Sequence, residues 1–273
     1  MYGTSEITDE QALDLLEQVF DRVVDLQPLN ALTGAIGEVS KPVPNLKQAA
    51  IGFDSSVFIR LATHRRSVDI LDYLPNHKGP LVLPGQAVQE FWNNRLAAID
   101  TVGRSLEKKF QALADDVQKV DAQFGDFEHE TKQMLERFQR DFGYIYDKKT
   151  KDRVAKMLLI LEENATCRFV PRSRFISLAN FRKRTKTPPG FRDDGDGDFF
   201  IWADFLFSLL TWSSPDRSGG FSHVILLTNE KKPDWSTNGR PHPILAAEVN
   251  CLFKARLDLW DLETFIDAVE GVV

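Results

Sequence analysis

Apolar residues recur along this chain in two alternating rhythms. Short, mostly apolar runs at Ala50–Phe53, Leu81–Leu83, Val224–Thr228 and Arg256–Trp260 have the length and boundaries of strands. Between them the apolar positions fall three and four apart, the period of a helix that buries one face. A first such stretch, Leu13, Leu16, Val19, Phe20 and Val23, follows the cap signal Thr8-Asp9-Glu10-Gln11, and a last one runs through Leu262, Phe265, Ile266 and Val269. Strands separated by helical stretches predict the α/β class, here a three-layer α/β/α sandwich on a mainly parallel central sheet.

The same pattern divides the chain. Residues 1–48 read as a helical extension and a linker through Gly34, Gly37, Pro42 and Pro44; residues 49–273 form the main domain, with a helical insertion at about 96–166. In that insertion Ile99, Val102, Leu106, Phe110, Leu113, Val117, Val120 and Phe124 make a heptad-like stripe. Met134, Leu135, Phe138 and Phe142 supply a returning helix after a break near Gly125. The expected form is an antiparallel hairpin that clamps substrate, pairs two copies or binds a second protein. The amino-terminal helix is expected to pack on the domain or dock a partner.

Carboxylates stand where these elements end or begin. Asp54 closes the first strand, Glu90 lies nearly two turns into a helix opened by Pro84, Asp198 occupies the first turn of an apolar helix, and Glu230 follows the strand ending at Thr228. Strand ends of open α/β sheets are where ligands bind. Several carboxylates in one cleft repel one another, so a hard, oxygen-loving cation such as Mg²⁺ or Mn²⁺ is the natural way to keep them ionised. Asp234 is a further candidate ligand, and Asp193, Asp194 and Asp196 compete with Asp198. Asn94 and Arg95, one turn beyond Glu90, are candidates to orient a carboxylate or contact phosphate, while Thr228 and Asn229 can donate to a carboxylate or a metal-held water. The Asp193–Asp198 cluster is not an EF-hand loop: counted from Asp194, the positions requiring Gly and Glu hold Phe199 and Phe205. A phosphoaspartyl reading of Asp54 wants an acid where Ser56 stands.

Four segments carry a further signal in their order. They are Asp54-Ser55-Ser56-Val57-Phe58; Pro84-Gly85-Gln86-Ala87-Val88-Gln89-Glu90-Phe91-Trp92-Asn93-Asn94-Arg95; Pro188-Pro189-Gly190-Phe191-Arg192-Asp193 followed by Gly197-Asp198-Phe199-Phe200-Ile201-Trp202; and Thr228-Asn229-Glu230-Lys231-Lys232-Pro233-Asp234-Trp235. Together they resemble the motif set of the PIN-like nuclease family, in its prokaryotic branch with a long helical insert. The resemblance spans from about Ile51 to the carboxyl end and departs from the pattern at Ser56, where the family has Asn, and at Glu230, where it has Asp. It implies a Mg²⁺- or Mn²⁺-dependent hydrolase of phosphodiesters, with Asp54, Glu90, Asp198 and Glu230 catalytic and metal-holding, Ser56 near the substrate, and RNA preferred to DNA. A role in a toxin–antitoxin pair, in antiphage defence or in RNA processing is equally open. The competing readings are a deoxyribonuclease and a non-catalytic module that uses the same fold to bind nucleic acid or protein.

Net charge sharpens the picture at one place. The chain carries a formal charge of −6, yet between Arg168 and Arg192 there are eight basic residues and no carboxylate, interleaved with Phe169, Phe175, Phe181 and Phe191. Such a strip suits a phosphate backbone with stacked bases, and Arg182, Lys183, Arg184 and Lys186 are its candidate contacts; the alternative is a solvated edge over core phenylalanines. Cys167 and Cys251 stand far apart in no metal-ligand spacing. No apolar run approaches the roughly 20 residues of a membrane span, and the expectation is a cytoplasmic protein without a membrane partner.

Overall fold

The structure is a computed structural model, and it describes residues 7–37, 45–64, 66–96, 108–113, 115–117, 119, 126–142, 148–212, 220–229 and 232–271. The central sheet contains β1 (Ala50–Phe53), β2 (Leu81–Val82), β3 (Ala165–Thr166), β4 (His223–Leu227) and β7 (Arg256–Trp260), all parallel, in the order β3-β2-β1-β4-β7. A separate two-stranded ribbon pairs β5 (Ser236–Thr237) with β6 (Arg240–Pro241). Residues of β1 and all but the first of β4 are buried, which is why both read as unbroken apolar runs: a parallel strand is covered on both faces.

The helices fall into two groups. One contains α3 (Ser55–Thr63), α4 (Ser67–Tyr73), α7 (Lys148–Asn164) and α11 (Leu262–Glu270), which pack on one another. The other contains α1 (Asp9–Phe20), α2 (Pro28–Gly37), α5 (Gly85–Glu90), α9 (Gly197–Leu210) and α10 (Pro243–Phe253). This division is the one expected of helices on the two faces of a sheet. A single core cluster extends from Ala12 in α1 to Val269 in α11.

The amino-terminal extension packs on this core. Thr8 and Gln11 form a reciprocal capping box at the start of α1, and Leu16, Val19 and Phe20 are buried, with the Phe20 ring 5.4 Å from that of Phe199. The expected linker differs: Gly34 and Gly37 lie in α2, which packs on α10. Helix α2 packs through small residues: Ala31, Gly34 and Ala35 are half-buried, while Leu29, Leu32 and Ile36 are exposed. Pro42 and Pro44 lie outside the described residues.

Of the insertion, residues 108–113 and 115–117 are helical, as is α6 (Phe127–Phe142). Ile99, Val102, Leu106, Val120, Phe124 and Gly125 lie outside the described residues. The insertion ends in α7, which returns to the core with Val154, Met157, Ile160 and Leu161 buried against α3 and α4. No helix among the described residues is long and apolar enough to cross a membrane.

Strand order reverses between β1 and β4: the chain builds outward from β1 to β2 and β3, then crosses to β4 and β7 on the other side. At such a switch point the loops after the two strands diverge and leave a crevice at their carboxyl ends. Phe53 and Leu227 are paired across it, so Asp54 and Thr228 are the first residues beyond.

Candidate active site

Asp54 follows β1 and precedes α3, with its backbone N–H donating to Leu227 O at 2.9 Å. Its carboxylate is buried and held by hydroxyls. Ser56 Oγ donates to Oδ2 at 2.6 Å, Thr228 Oγ1 to the same oxygen at 2.9 Å, and Ser55 Oγ approaches Oδ1 at 3.4 Å. Asn229 ties the two loops together, its N–H donating to Ser56 Oγ at 3.0 Å and its amide to Ser56 O at 3.1 Å. Ser56, Thr228 and Asn229 therefore orient the carboxylate. Ser56, where the resemblance led one to expect Asn, still supplies the hydrogen bond.

Glu90 ends α5 and turns toward the same crevice. Ser55 Oγ lies 3.4 Å from Glu90 Oε2, and so bridges Asp54 and Glu90. Gln86, one turn earlier, donates its amide to Glu90 Oε1 at 3.2 Å. That oxygen also reaches the first residue of α9: a Cβ on Gly197 would stand 2.4 Å from it, so a side chain there would displace the carboxylate from this position. A helix N-terminus favours a negative group.

Asp198, next to Gly197, belongs to a second pair. Lys232 Nζ lies 2.6 Å from Asp193 Oδ2 and 3.3 Å from Asp198 Oδ2, and Trp235 Nε1 donates to Asp198 Oδ2 at 2.9 Å. Burial raises the Asp198 pKa to about 7, helped by the Asp193 carboxylate and opposed by Trp235 and Lys232. At Asp193 the cost of partial burial is outweighed by the hydrogen bonds from Lys232 and Asp198, and its pKa is lowered. Near neutrality the two carboxyls thus differ in proton occupancy.

The loop that carries Asp193 is pinned from beneath. Its Pro188–Pro189 peptide is cis, and Gly190 has φ of +80°, a conformation that suits glycine. Asp234, fully buried, accepts from Gly190 N at 2.9 Å; it is thereby committed to the loop rather than turned toward the acids. Arg182 donates to Pro188 O and pairs with Glu248 at 2.6 Å, and Trp202 Nε1 donates to Glu248 at 2.7 Å. All of this is buried. Lys183 Nζ then fastens the next stretch by donating to Asp194 O at 2.6 Å and Gly195 O at 3.0 Å, with Asp196 Oδ1 at 3.4 Å.

The basic strip is accordingly a different object from the one its sequence suggests. Most of it is α8 (Arg172–Arg184), and Arg182 faces the core, where no phosphate reaches it. Arg174 pairs with Glu10, Asp14 and Glu17 of α1, at 2.7, 2.5 and 2.7 Å, and Arg168 pairs with Asp9. Arg172 is held in two bonds of 2.8 Å by Asp204, which also accepts from Gln86 N and Val170 N. Arg184, Lys186 and Arg192 remain exposed. Phe175 is buried, while Phe169 and Phe181 are about half exposed.

Among the described residues no three of His, Cys, Asp and Glu gather into one group able to hold a metal ion; the acids form the pairs Asp54–Glu90 and Asp193–Asp198. Glu230 lies outside the described residues, as do the side chains of Asn94 and Arg95, whose backbone is part of a π-helical turn at Phe91–Leu96. Asp194 is exposed and engaged through its carbonyl.

Ser55, Gln86, Trp235 and Asp204 were not among the candidate residues, and Arg172 was read only as part of the basic strip. Asp204 had a signal: it is a lone carboxylate inside the apolar run Phe199–Leu210, and a buried charge requires partners. No protein-family model matches the chain, nor does any curated protein or solved structure.

Proposed function

We propose that this protein is a divalent-metal-dependent nuclease of the PIN-like type, acting on RNA in preference to DNA. The observation that carries the reading is convergence. Segments beginning at Asp54, Pro84, Pro188 and Thr228 meet at one crevice, with Asp54 and Glu90 joined through Ser55 and Asp193 and Asp198 joined through Lys232. The donor set is oxygen throughout, which suits Mg²⁺ or Mn²⁺ and not a soft metal. When bound, such an ion supplies a water of lowered pKa and offsets charge on the phosphodiester.

The chain's own residues do the rest. Asp54 is locked in orientation by three hydroxyls, so its Oδ1 presents to the crevice at little further entropic cost. Glu90, positioned by Gln86, would hold the ion from the facing side. Asp198, with its pKa near 7, can hold and release a proton at neutral pH, the range in which acid–base catalysis is most effective. Exposed Arg184, Lys186 and Arg192 offer the phosphate backbone its contacts. The preference for RNA, and an effector role in a toxin–antitoxin or antiphage system, rest on the resemblance of the four motifs.

The test is to incubate purified protein with total RNA, single-stranded DNA and duplex DNA, with Mn²⁺ or with chelator. Wild type is expected to cleave RNA with Mn²⁺ and to be silent with chelator, and Asp54→Asn to abolish cleavage with an unchanged circular dichroism spectrum, because a ligand oxygen loses its charge while volume is kept. Undiminished metal-dependent cleavage by the variant removes Asp54 from the site. Binding of nucleic acid without cleavage under every condition supports the non-catalytic module instead.

A further inference from the structure

Asp54 differs from Asp193 and Asp198 in the partners that hold it. The donors to Asp54 are the hydroxyls of Ser55, Ser56 and Thr228, none of which carries charge. Asp193 and Asp198 instead embrace an ammonium: Lys232 Nζ stands 2.6 Å from one and 3.3 Å from the other. Among the described residues, the elements around that ammonium are held in place. Asp193 follows the loop held by Asp234 through Gly190 N, Asp198 is in the first turn of α9 and accepts from Trp235, and Lys232 immediately precedes the segment that supplies both Asp234 and Trp235. A lysine on a free surface loop samples many rotamers; this one is seated.

We propose that the Lys232 ammonium permanently occupies the position a second divalent ion would take, so that the site binds one ion, at Asp54 and Glu90, and Lys232 supplies the second positive charge. The inference rests on the nuclease reading above. Its physical basis is that a divalent ion at Asp193 and Asp198 needs the oxygens on which Lys232 sits, at ligand distances of about 2.0–2.1 Å for Mg²⁺. An ion entering without expelling the ammonium would force two positive charges to share the space of one. An ammonium is a compact point charge well suited to a phosphate oxygen. Placed in advance, it stabilises charge that develops on the phosphoryl group during cleavage without reorganisation. No bond to Lys232 forms or breaks: its contribution is electrostatic.

The experiment is to count ions. Mn²⁺ binding to wild type, Lys232→Met and Lys232→Arg is measured by the paramagnetic resonance of free Mn²⁺ and by calorimetry, with metal-free melting temperatures showing that each variant folds. One Mn²⁺ per chain is expected for wild type and Lys232→Arg, and two for Lys232→Met, whose second ion enters at Asp193 and Asp198. At Mn²⁺ concentrations that fill only the first site, kcat of Lys232→Met on RNA is expected to fall about a hundredfold, the usual loss when one preorganised donor is removed, and to recover as the second site fills.

Two ions in wild type, or one in both wild type and Lys232→Met, overturn the inference while leaving a metal-dependent nuclease standing. So does a Lys232→Met enzyme of undiminished kcat at single-ion occupancy. If no protein takes up Mn²⁺, the nuclease reading fails and the inference falls with it. Should Lys232→Met not fold, Lys232→Gln repeats the count with a neutral side chain that can still hydrogen-bond.

Discussion

Asp198 is where stability and chemistry pull in opposite directions. Its carboxyl is raised to about 7 chiefly by burial, against an ordinary value of about 3.9 for Asp in an unfolded chain. The folded state therefore binds the proton more tightly than the unfolded one. The stability this gives is fully present below about pH 4 and is lost as pH rises through 7. Measured against Asp198→Asn by differential scanning calorimetry, metal-free wild type is expected to lose melting temperature between pH 5 and pH 8; the buried His77, with its pKa lowered to about 4, acts alike in both proteins. An identical slope in both proteins removes Asp198 as the cause. Asp193 titrates in the opposite sense, lowered by Lys232 and Asp198, so its contribution is present at neutral pH and disappears on acidification. The acids themselves were readable from their places at element boundaries. Their partners were not, because Lys232 reaches Asp193 across 39 residues and Ser55 reaches Glu90 across 35, distances at which no periodicity reports proximity.

At the scale of elements, α8 shows why part of the fold escaped its sequence. Its buried residues are Phe175, Ala179 and Arg182. The core face of this helix includes an arginine, so its apolar stripe is broken and the segment reads as a basic strip. The strands after which Asp54 and Thr228 stand were legible because both faces of β1 and β4 are covered, whereas β3, two half-buried residues, offers no run long enough to see. Arg182→Ala should therefore act on folding before it acts on nucleic acid. It strands Glu248 in the core and releases the Pro188 carbonyl, with an expected loss of about 3–5 kcal/mol in urea denaturation. Arg182→Met combined with Glu248→Leu removes both charges and is expected to recover most of that loss. A single variant within about 0.5 kcal/mol of wild type would show that the pair carries no stability. Replacing the exposed Arg184 and Lys186 instead is the change that tests the proposed contact with nucleic acid.

Considered whole, the molecule pairs unlike charges on its helical surfaces and brings the carboxylates of Asp54, Glu90, Asp193 and Asp198 together with the Lys232 ammonium in its crevice. Arg168 and Arg174 fasten α1 to the domain, so the extension was legible as a helix while its docking partner was not. The strip's positive charge is largely neutralised within the fold. If the proposed ion binds at Asp54 and Glu90 in the folded state alone, it relieves their repulsion there and adds stability by mass action. Millimolar Mn²⁺ at fixed ionic strength is expected to raise the melting temperature. Glu90→Gln should raise the metal-free value and shrink the Mn²⁺ increment, since one charge fewer means both less repulsion and weaker binding. Melting that is indifferent to Mn²⁺ and Mg²⁺ would leave the crevice without a resident ion.

The switch-point topology also governs when the site exists. Asp54 is anchored by Leu227 and Thr228, and the loop of Asp193 by Asp234, so residues made early wait for residues made late. Ribosomes add about 5–20 residues per second. For many seconds a growing chain therefore carries Asp54 and Glu90 with no β4 to order them, and the crevice closes into shape only when the strands from His223 onward have paired. If the protein is the proposed hydrolase, a fragment that ends before β4 is expected to be inert, because Asp54 then lacks the partners that orient it.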